Sequence, residues 1–206
     1  MSYIVKSMVL GEIQTNTYIA YDDEIGEAII VDPAASEDRI AEKITELGVK
    51  PVAILLTHGH FDHIGAVEEL RNRYDIKVYA YEEERDILGT DANLAIMMGK
   101  RMSIKADEYL KDLQIFELGG VRYQVIHTPG HTKGSCCYYV DREKVLFSGD
   151  TMFCQSYGRT DFPTGSYGQL MNSIQRLLQL SDDVIVYPGH NEQTKIGDER
   201  KMYDFN

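Results

Sequence analysis

Four times in this chain a short apolar run stops at a turn carrying a metal-ligating side chain, and this recurrence restricts the fold more than any other feature. Val52 to Leu56 leads into Thr57-His58-Gly59-His60-Phe61-Asp62-His63, and Tyr123 to His127 into Thr128-Pro129-Gly130-His131. Val145 to Phe147 leads into Ser148-Gly149-Asp150, and Val184 to Tyr187 into Pro188-Gly189-His190. Runs of this length and composition read as strands, and side chains that bind ligands collect beyond the carboxyl ends of strands. In extended backbone His58 and His60 project to the same side, while Asp62 and His63 open the following helix and turn back to a neighbouring point. Two cations can be served by such a density of donors. A lone histidine after a strand is more often a packing residue, but of the six histidines five lie at these strand ends. The sixth, His127, two residues before the Pro129-Gly130 turn, is expected to be a satisfied or supporting histidine and not a ligand.

The remaining pattern predicts strands at Thr17 to Tyr21 and Glu27 to Val31, an antiparallel opening joined by Asp22-Asp23-Glu24. A helix capped by Ser36 carries Ile40, Ile44 and Leu47 and ends at Gly48. A second helix is expected over Ile64 to Arg73, a strand over Lys77 to Tyr81, and a last long helix over Tyr167 to Leu180. Strands are also expected at Cys136 to Val140, where Cys136 and Cys137 point to opposite faces. Residues 82–113 read as broken helical pieces whose Met97, Met98 and Met102 are expected to fill core. No linker marks a boundary, so a single domain over residues 1–206 is expected, with two sheets and helices outside them.

Acidic residues outnumber basic ones, 33 to 21, giving a formal charge of −12 that disfavours a nucleic-acid partner. No apolar run approaches the ~20 residues of a membrane helix, and the three cysteines suggest no disulfide framework. These features lead us to expect a cytoplasmic protein without a membrane partner. The sequence leaves the oligomeric state open.

The run from Thr57 to His63 resembles the His-x-His-x-Asp-His signature of the metallo-β-lactamase superfamily. Thr128-Pro129-Gly130-His131-Thr132, Ser148-Gly149-Asp150-Thr151, Gly158-Arg159-Thr160-Asp161-Phe162-Pro163 and Tyr187-Pro188-Gly189-His190 resemble its short glyoxalase II-like, or hydroxyacylglutathione hydrolase-like, branch. The resemblance implies an α/β fold (α+β in its layering), an αββα sandwich of two mixed sheets with the metals at one edge. It implies that His58, His60 and His131 hold one cation, that Asp62, His63 and His190 hold a second, and that Asp150 bridges them. Zinc is the first expectation for both, with iron or manganese as alternatives. Asp62 and Asp150 are then the catalytic carboxylates, and a hydroxide bridging the cations attacks the substrate.

An alkyl thiolate, with a thiol pKa of ~8.5, leaves more readily than an amine, so a small-molecule thioester suits such a site. The resemblance points to a 2-hydroxyacyl thioester such as S-lactoylglutathione. Arg159 is a candidate clamp for a substrate carboxylate or, equally, a partner for Asp161 that fixes the loop; Tyr157 and Phe162 are candidate pocket walls. The longer glyoxalase II enzymes carry a carboxyl-terminal helical region that helps hold glutathione, and with 16 residues after His190 that cradle is expected to be largely missing. Two other readings compete. The Gly158 to Phe162 run also resembles persulfide dioxygenases, which bind one iron through positions corresponding to His58, His131 and Asp150. A metal-stabilised, non-catalytic binding scaffold is the reading of another class.

Overall fold

The computed structural model describes residues 2–203, and in them the strand ends do converge. The first sheet runs β1 (Tyr3–Leu10), β2 (Thr15–Asp22), β3 (Glu27–Val31), β4 (Lys50–Leu55), β5 (Lys77–Tyr81) and β6 (Glu108–Leu110) in spatial as in chain order. Its first three strands pair antiparallel and the rest parallel. The second sheet is built from β7 (Ile115–Leu118), β8 (Val121–His127), β9 (Cys136–Val140), β10 (Val145–Gly149), β11 (Ile185–Pro188) and β12 (Thr194–Lys195), again neighbour to neighbour. Only β10 and β11 pair parallel there. This mixed α/β arrangement is the expected αββα sandwich.

Alternation along the strands sorts the apolar residues into three cores. Tyr18, Ala20, Ala53 and Leu55 face the second sheet and meet Tyr123, Val125, Tyr138 and Phe147. Ile19, Tyr21, Ile54 and Leu56 face the other way, against Ile40 and Ile44 of α1 (Glu37–Leu47) and Val67 and Leu70 of α3 (Val67–Tyr74). The outer face of the second sheet, with Ile126, Leu146 and Val186, is covered by Leu170, Ile174 and Leu177 of α5 (Tyr167–Leu177). Cys136 and Cys137 divide between two of these cores as expected, and burial pushes the Cys137 thiol up to about 11.

Several sequence expectations are corrected. Ser36 sits at the start of α1 but in left-handed backbone, φ 57°, with no side-chain capping bond; a serine caps from extended backbone, so Glu37 and Asp38 alone favour the helix start. The helix expected over Ile64 to Arg73 is two, α2 (Phe61–Ile64) and α3, because the loop after β3 presses into the joint. There the Ala66 N–H donates to the Pro33 carbonyl at 2.9 Å, and a Cβ on Gly65 would run into the Ala34 carbonyl oxygen. Met97 and Met98 are exposed, since the tight turn Ala95–Met98 between left-handed Leu94 and Gly99 turns only Ala95 inward. Met102 alone of the three packs on the core. Strands β1, β6, β7 and β12 were not anticipated; each lies at or next to a sheet edge, and β6 and β12 are very short.

Backbone bonds lace the two sheets together where the ligand-bearing ends meet. Cys136 N–H donates to the Thr57 carbonyl at 2.9 Å, and Asn16 N–H to the Gly189 carbonyl at 2.7 Å. The Tyr18 hydroxyl donates to the Pro188 carbonyl at 2.6 Å. Among the described residues no helix is long and apolar enough to cross a membrane.

Packing under α5 sets a first test. Ile174 is fully buried, so Ile174→Ala should cost about 2–5 kcal/mol in chemical denaturation, while the exposed neighbour substitution Gln175→Ala should stay within about 0.5 kcal/mol.

Candidate metal centre

Extended backbone after β4 carries His58 and His60 into the edge between the sheets, and the first turn of α2 presents Asp62 and His63 to the same place. His131 arrives from the turn after β8, Asp150 directly after β10, and His190 after β11. His58, His60 and His131 each bring a ligand atom within 4.8 Å of the other two, and so do Asp62, His63 and His190. Asp150 joins the two sets: its Oδ1 is 3.3 Å from His63 Nε2, and its Oδ2 is 3.5 Å from both His131 Nε2 and His190 Nε2. Asp62 Oδ2 lies 3.4 Å from His190 Nε2 and 3.6 Å from His63 Nε2.

These separations have a simple meaning. Ligands 2.0–2.1 Å from a tetrahedral ion stand roughly 3.3 Å from one another, whereas hydrogen-bonded nitrogen and oxygen sit closer, at about 2.9 Å. The nitrogens of His63, His131 and His190 and the oxygens of Asp62 and Asp150 therefore stand as ligands of common ions do. Four buried atoms here, Nε2 of His58, His60 and His63 and Oδ1 of Asp150, have no hydrogen-bond partner. Buried polar atoms are rarely left so, and a cation is what the arrangement lacks. The histidine–aspartate cluster fits a dimetal site.

The surroundings fix which ring nitrogens face inward. His131 Nδ1 is 2.7 Å from the Arg159 carbonyl and so carries the proton, which leaves Nε2 as a lone pair. Thr57 Oγ1 donates to Asp32 Oδ2 at 2.6 Å, so His58 Nδ1, 3.2 Å from that hydroxyl, is the donor to it and His58 Nε2 is free. His60 turns Nδ1 to His131 Nε2, 2.9 Å away. A Cβ on Gly189 would land on Asp150 Oδ1 and within 2.7 Å of His63 Cε1, so only glycine lets the β11 turn pass beneath the cluster.

Electrostatics divide the two sets. Burial, helped by His63 and His131, holds His58 well below the usual imidazole range, and burial with His131 takes His60 down to about 3, so both are neutral and ready to donate lone pairs. Burial also disfavours charge on His63 and His190, but carboxylates outweigh it. Asp150, Asp62 and Asp32 hold His63 well above its ordinary value, and Asp150 and Asp62 raise His190 to about 9. In turn, although burial raises them, His63 and His190 lower Asp62 to about 2, and His63, His190 and His131 hold Asp150 well below the carboxylate range. Protons on His63 and His190 thus balance the charge that a cation would balance.

Two supporting residues were not found from the sequence. Asp32, in left-handed backbone at φ 48°, accepts from Thr57 N–H at 2.8 Å and from the Thr57 hydroxyl, and lies 2.9 Å from His63 Nδ1. With its oxygens so engaged, it stands behind His63 as an orienting carboxylate. Its sequence signal, an aspartate closing a buried strand before Pro33, was present but solitary. Thr15 donates its hydroxyl to Asp62 Oδ2 at 2.9 Å. His127 lies apart from these ligand sets, stacked on Tyr81 and with Nε2 2.9 Å from the Lys133 carbonyl.

The candidate substrate residues separate. Arg159 pairs side-on with Asp161, Nε to Oδ1 at 2.7 Å and Nη2 to Oδ2 at 2.6 Å, and its guanidinium lies 3.9 Å from the Phe162 ring centroid. The Phe162 ring sits edge-on to His60 at 5.8 Å. Tyr157 is exposed and keeps company with Tyr167 and Tyr203. Phe153, unremarked in the sequence, is edge-on to His190 at 5.8 Å and walls the opposite side.

Comparison with known proteins settles the family. The model of the metallo-beta-lactamase superfamily matches residues 10–190. The chain belongs to the metallo-beta-lactamase superfamily. It is 35% identical over 200 residues to the hydroxyacylglutathione hydrolase GloC of Haemophilus influenzae, covering 93% of this chain and 92% of that one. Among solved structures it superposes on the BLEG-1 B3 metallo-beta-lactamase with a TM-score of 0.92 at 40% identity, over 98% of this chain and 99% of that one. TTHA1623, in a di-iron-bound form, gives 0.87 at 32%, over 98% and 100%. ETHE1 from Myxococcus xanthus gives 0.82 at 29%, over 98% and 83%. This superfamily membership and the donor set agree on metal-binding hydrolase chemistry.

Loading the site must expel the protons of His63 and His190, because a nitrogen cannot bind proton and metal together. Apparent metal affinity should therefore climb with pH, with the His190 contribution complete above about 9. Titration calorimetry in buffers of different ionisation enthalpy should record one to two protons released per protein, and a proton-neutral, pH-independent affinity from about pH 6 to about 9 would contradict the electrostatics.

Proposed function

We propose that this chain is a dimetal thioester hydrolase acting on 2-hydroxyacyl thioesters of the S-lactoylglutathione type. His58, His60 and His131 hold one cation, Asp62, His63 and His190 the other, and Asp150 both. The observation that carries the reading is the position of Asp150, within 3.5 Å of His63, His131 and His190 and so in reach of both sets. Two divalent cations held by these residues would supply acidification of a water and stabilisation of negative charge on the substrate carbonyl oxygen. Zinc is our first expectation, with iron or manganese as alternatives; the di-iron form of TTHA1623 keeps iron prominent among them.

The protein's own residues supply position and selectivity. Thr15 and Asp32 orient Asp62 and His63 from behind, so the ligand set is organised before substrate arrives. Phe162 beside His60 and Phe153 beside His190 present apolar walls that limit water near the acyl carbon. No general acid is required, because a thiol of pKa ~8.5 departs as thiolate, and this favours thioesters over amides. Arg159 is the candidate contact for a substrate carboxylate. Its pairing with Asp161 does not preclude this: the two side chains are 57% and 66% exposed, and an exposed ion pair is weak enough for a bidentate substrate carboxylate to replace it. The likeness to the hydroxyacylglutathione hydrolase GloC supports the choice of acyl and thiol groups.

Metal-loaded protein should hydrolyse S-lactoylglutathione, lose the activity with chelator and regain it with metal. Asp150→Ala should lower kcat/KM on the order of 10³-fold. Persulfide-dependent oxygen uptake without thioester hydrolysis would replace the reading with a dioxygenase, β-lactam turnover alone with a lactamase, and two bound cations without turnover with a scaffold. Arg159→Met should raise KM for a carboxylate-bearing thioester severalfold with little change in kcat; an equal loss in kcat would assign Arg159 to fixing the loop that holds His131.

A further inference from the structure

Glu84 closes the tight turn Glu82–Glu84 at the end of β5, and of these three consecutive glutamates only it is buried. Its carboxylate reaches into the gap between two ligand-bearing loops. Oε2 accepts the Gly59 N–H at 2.8 Å, the peptide between His58 and His60. Oε1 accepts the hydroxyl of Thr132, the residue after His131, and that hydroxyl also contacts Ser135 Oγ at 2.7 Å. The Gly134 N–H points to the same carboxylate. Burial pushes Glu84 up to about 7 while the bonds from Thr132, Gly59 and Gly134 pull it back. A carboxylate so enclosed is costly, and an amide would fill the place without burying a charge. What the carboxylate adds is two strong acceptors facing donors from separate loops.

The placement is selective. Asp32 braces His63, through Nδ1, and the Thr57 end of the first loop. Glu84 instead contacts backbone and hydroxyl beside His58, His60 and His131, the three histidines of the other set. We propose that Glu84 is a positioning residue for the His58, His60 and His131 set, a buried strut that holds the His58–His60 loop and the His131 loop at the spacing one cation requires. The proposal rests on the dimetal reading above; Asp32 reaches His63 directly and His58 through Thr57, whereas Glu84 links the His58–His60 loop to the His131 loop.

The test compares wild type with Glu84→Leu and Glu84→Gln, all loaded with zinc, by thermal melting and by metal content after dialysis against graded chelator. Glu84→Leu should fold and drop from about two equivalents to about one, with the lost cation held about 10–100-fold more weakly, and Glu84→Gln should fall between. Retention of both cations at the wild-type chelator concentration in either folded variant would overturn the proposal. It would also be overturned if Ile44→Ala, a core change remote from the cluster, lost metal equally at matched melting temperature. If Glu84→Leu does not fold, Glu84→Gln carries the comparison. Should wild type hold only one equivalent, the dimetal reading fails separately; weaker retention of that cation in Glu84→Gln would still support the strut and unchanged retention would overturn it.

Discussion

Everything at the functional edge is governed by the cost of burying imidazole nitrogens and carboxylates that have no partner. Water could satisfy such groups only if the edge were open, yet His58, His60, His63 and His131 are all nearly or fully buried. Protons on His63 and His190 answer the charge of Asp62 and Asp150, while Nε2 of His58 and of His60 have no hydrogen-bond partner. A fold keeps groups in this state only when the surrounding structure overdetermines them, and the bonds lacing the sheets at Thr57, Gly189 and Pro188 do so. The same rigidity prepares the ligands, so a cation entering the edge meets donors already at ligand spacing.

The sandwich makes this possible by bringing strand ends from both sheets to one edge. Four ligands come from the first sheet's β4 and its following turn, and three from β8, β10 and β11 of the second. Any sliding of one sheet over the other would pull the sets apart, which gives the middle core, with Tyr18, Tyr138 and Phe147, a role in alignment as well as stability. Two of the left-handed non-glycine residues, Asp32 and Asn191, lie beside this edge, at φ 48° and 65°. At this edge Phe162 and Phe153 stand edge-on to His60 and His190, and the exposed Arg159–Asp161 pair lies beside Phe162.

The clustering of the candidate ligands was legible because they form a local pattern: four in one short run and three more at the ends of apolar strands. The layered architecture followed from the same runs. The supporting groups were not legible, since Asp32 meets His63 across 31 positions and Glu84 meets Thr132 across 48, and a single acidic residue carries no sign of its distant partner. Edge strands such as β1 and β12 escaped because pairing defines them more than their own propensity does. The split of the second helix was hidden for a like reason: the Pro33–Ala34 loop that forces it lies more than 30 residues away in the chain. Met97 and Met98 misled because hydrophobicity alone does not tell an inward face from an outward one on a tight turn.

The most direct test of the central claim is an anomalous-difference map from crystals of the protein purified without added metal and then loaded with zinc. The account expects two peaks about 3.5–4 Å apart, one among His58, His60 and His131, the other among Asp62, His63 and His190, with Asp150 touching both. A single peak at His58, His131 and Asp150, with His190 and Asp62 bearing no metal, would contradict it.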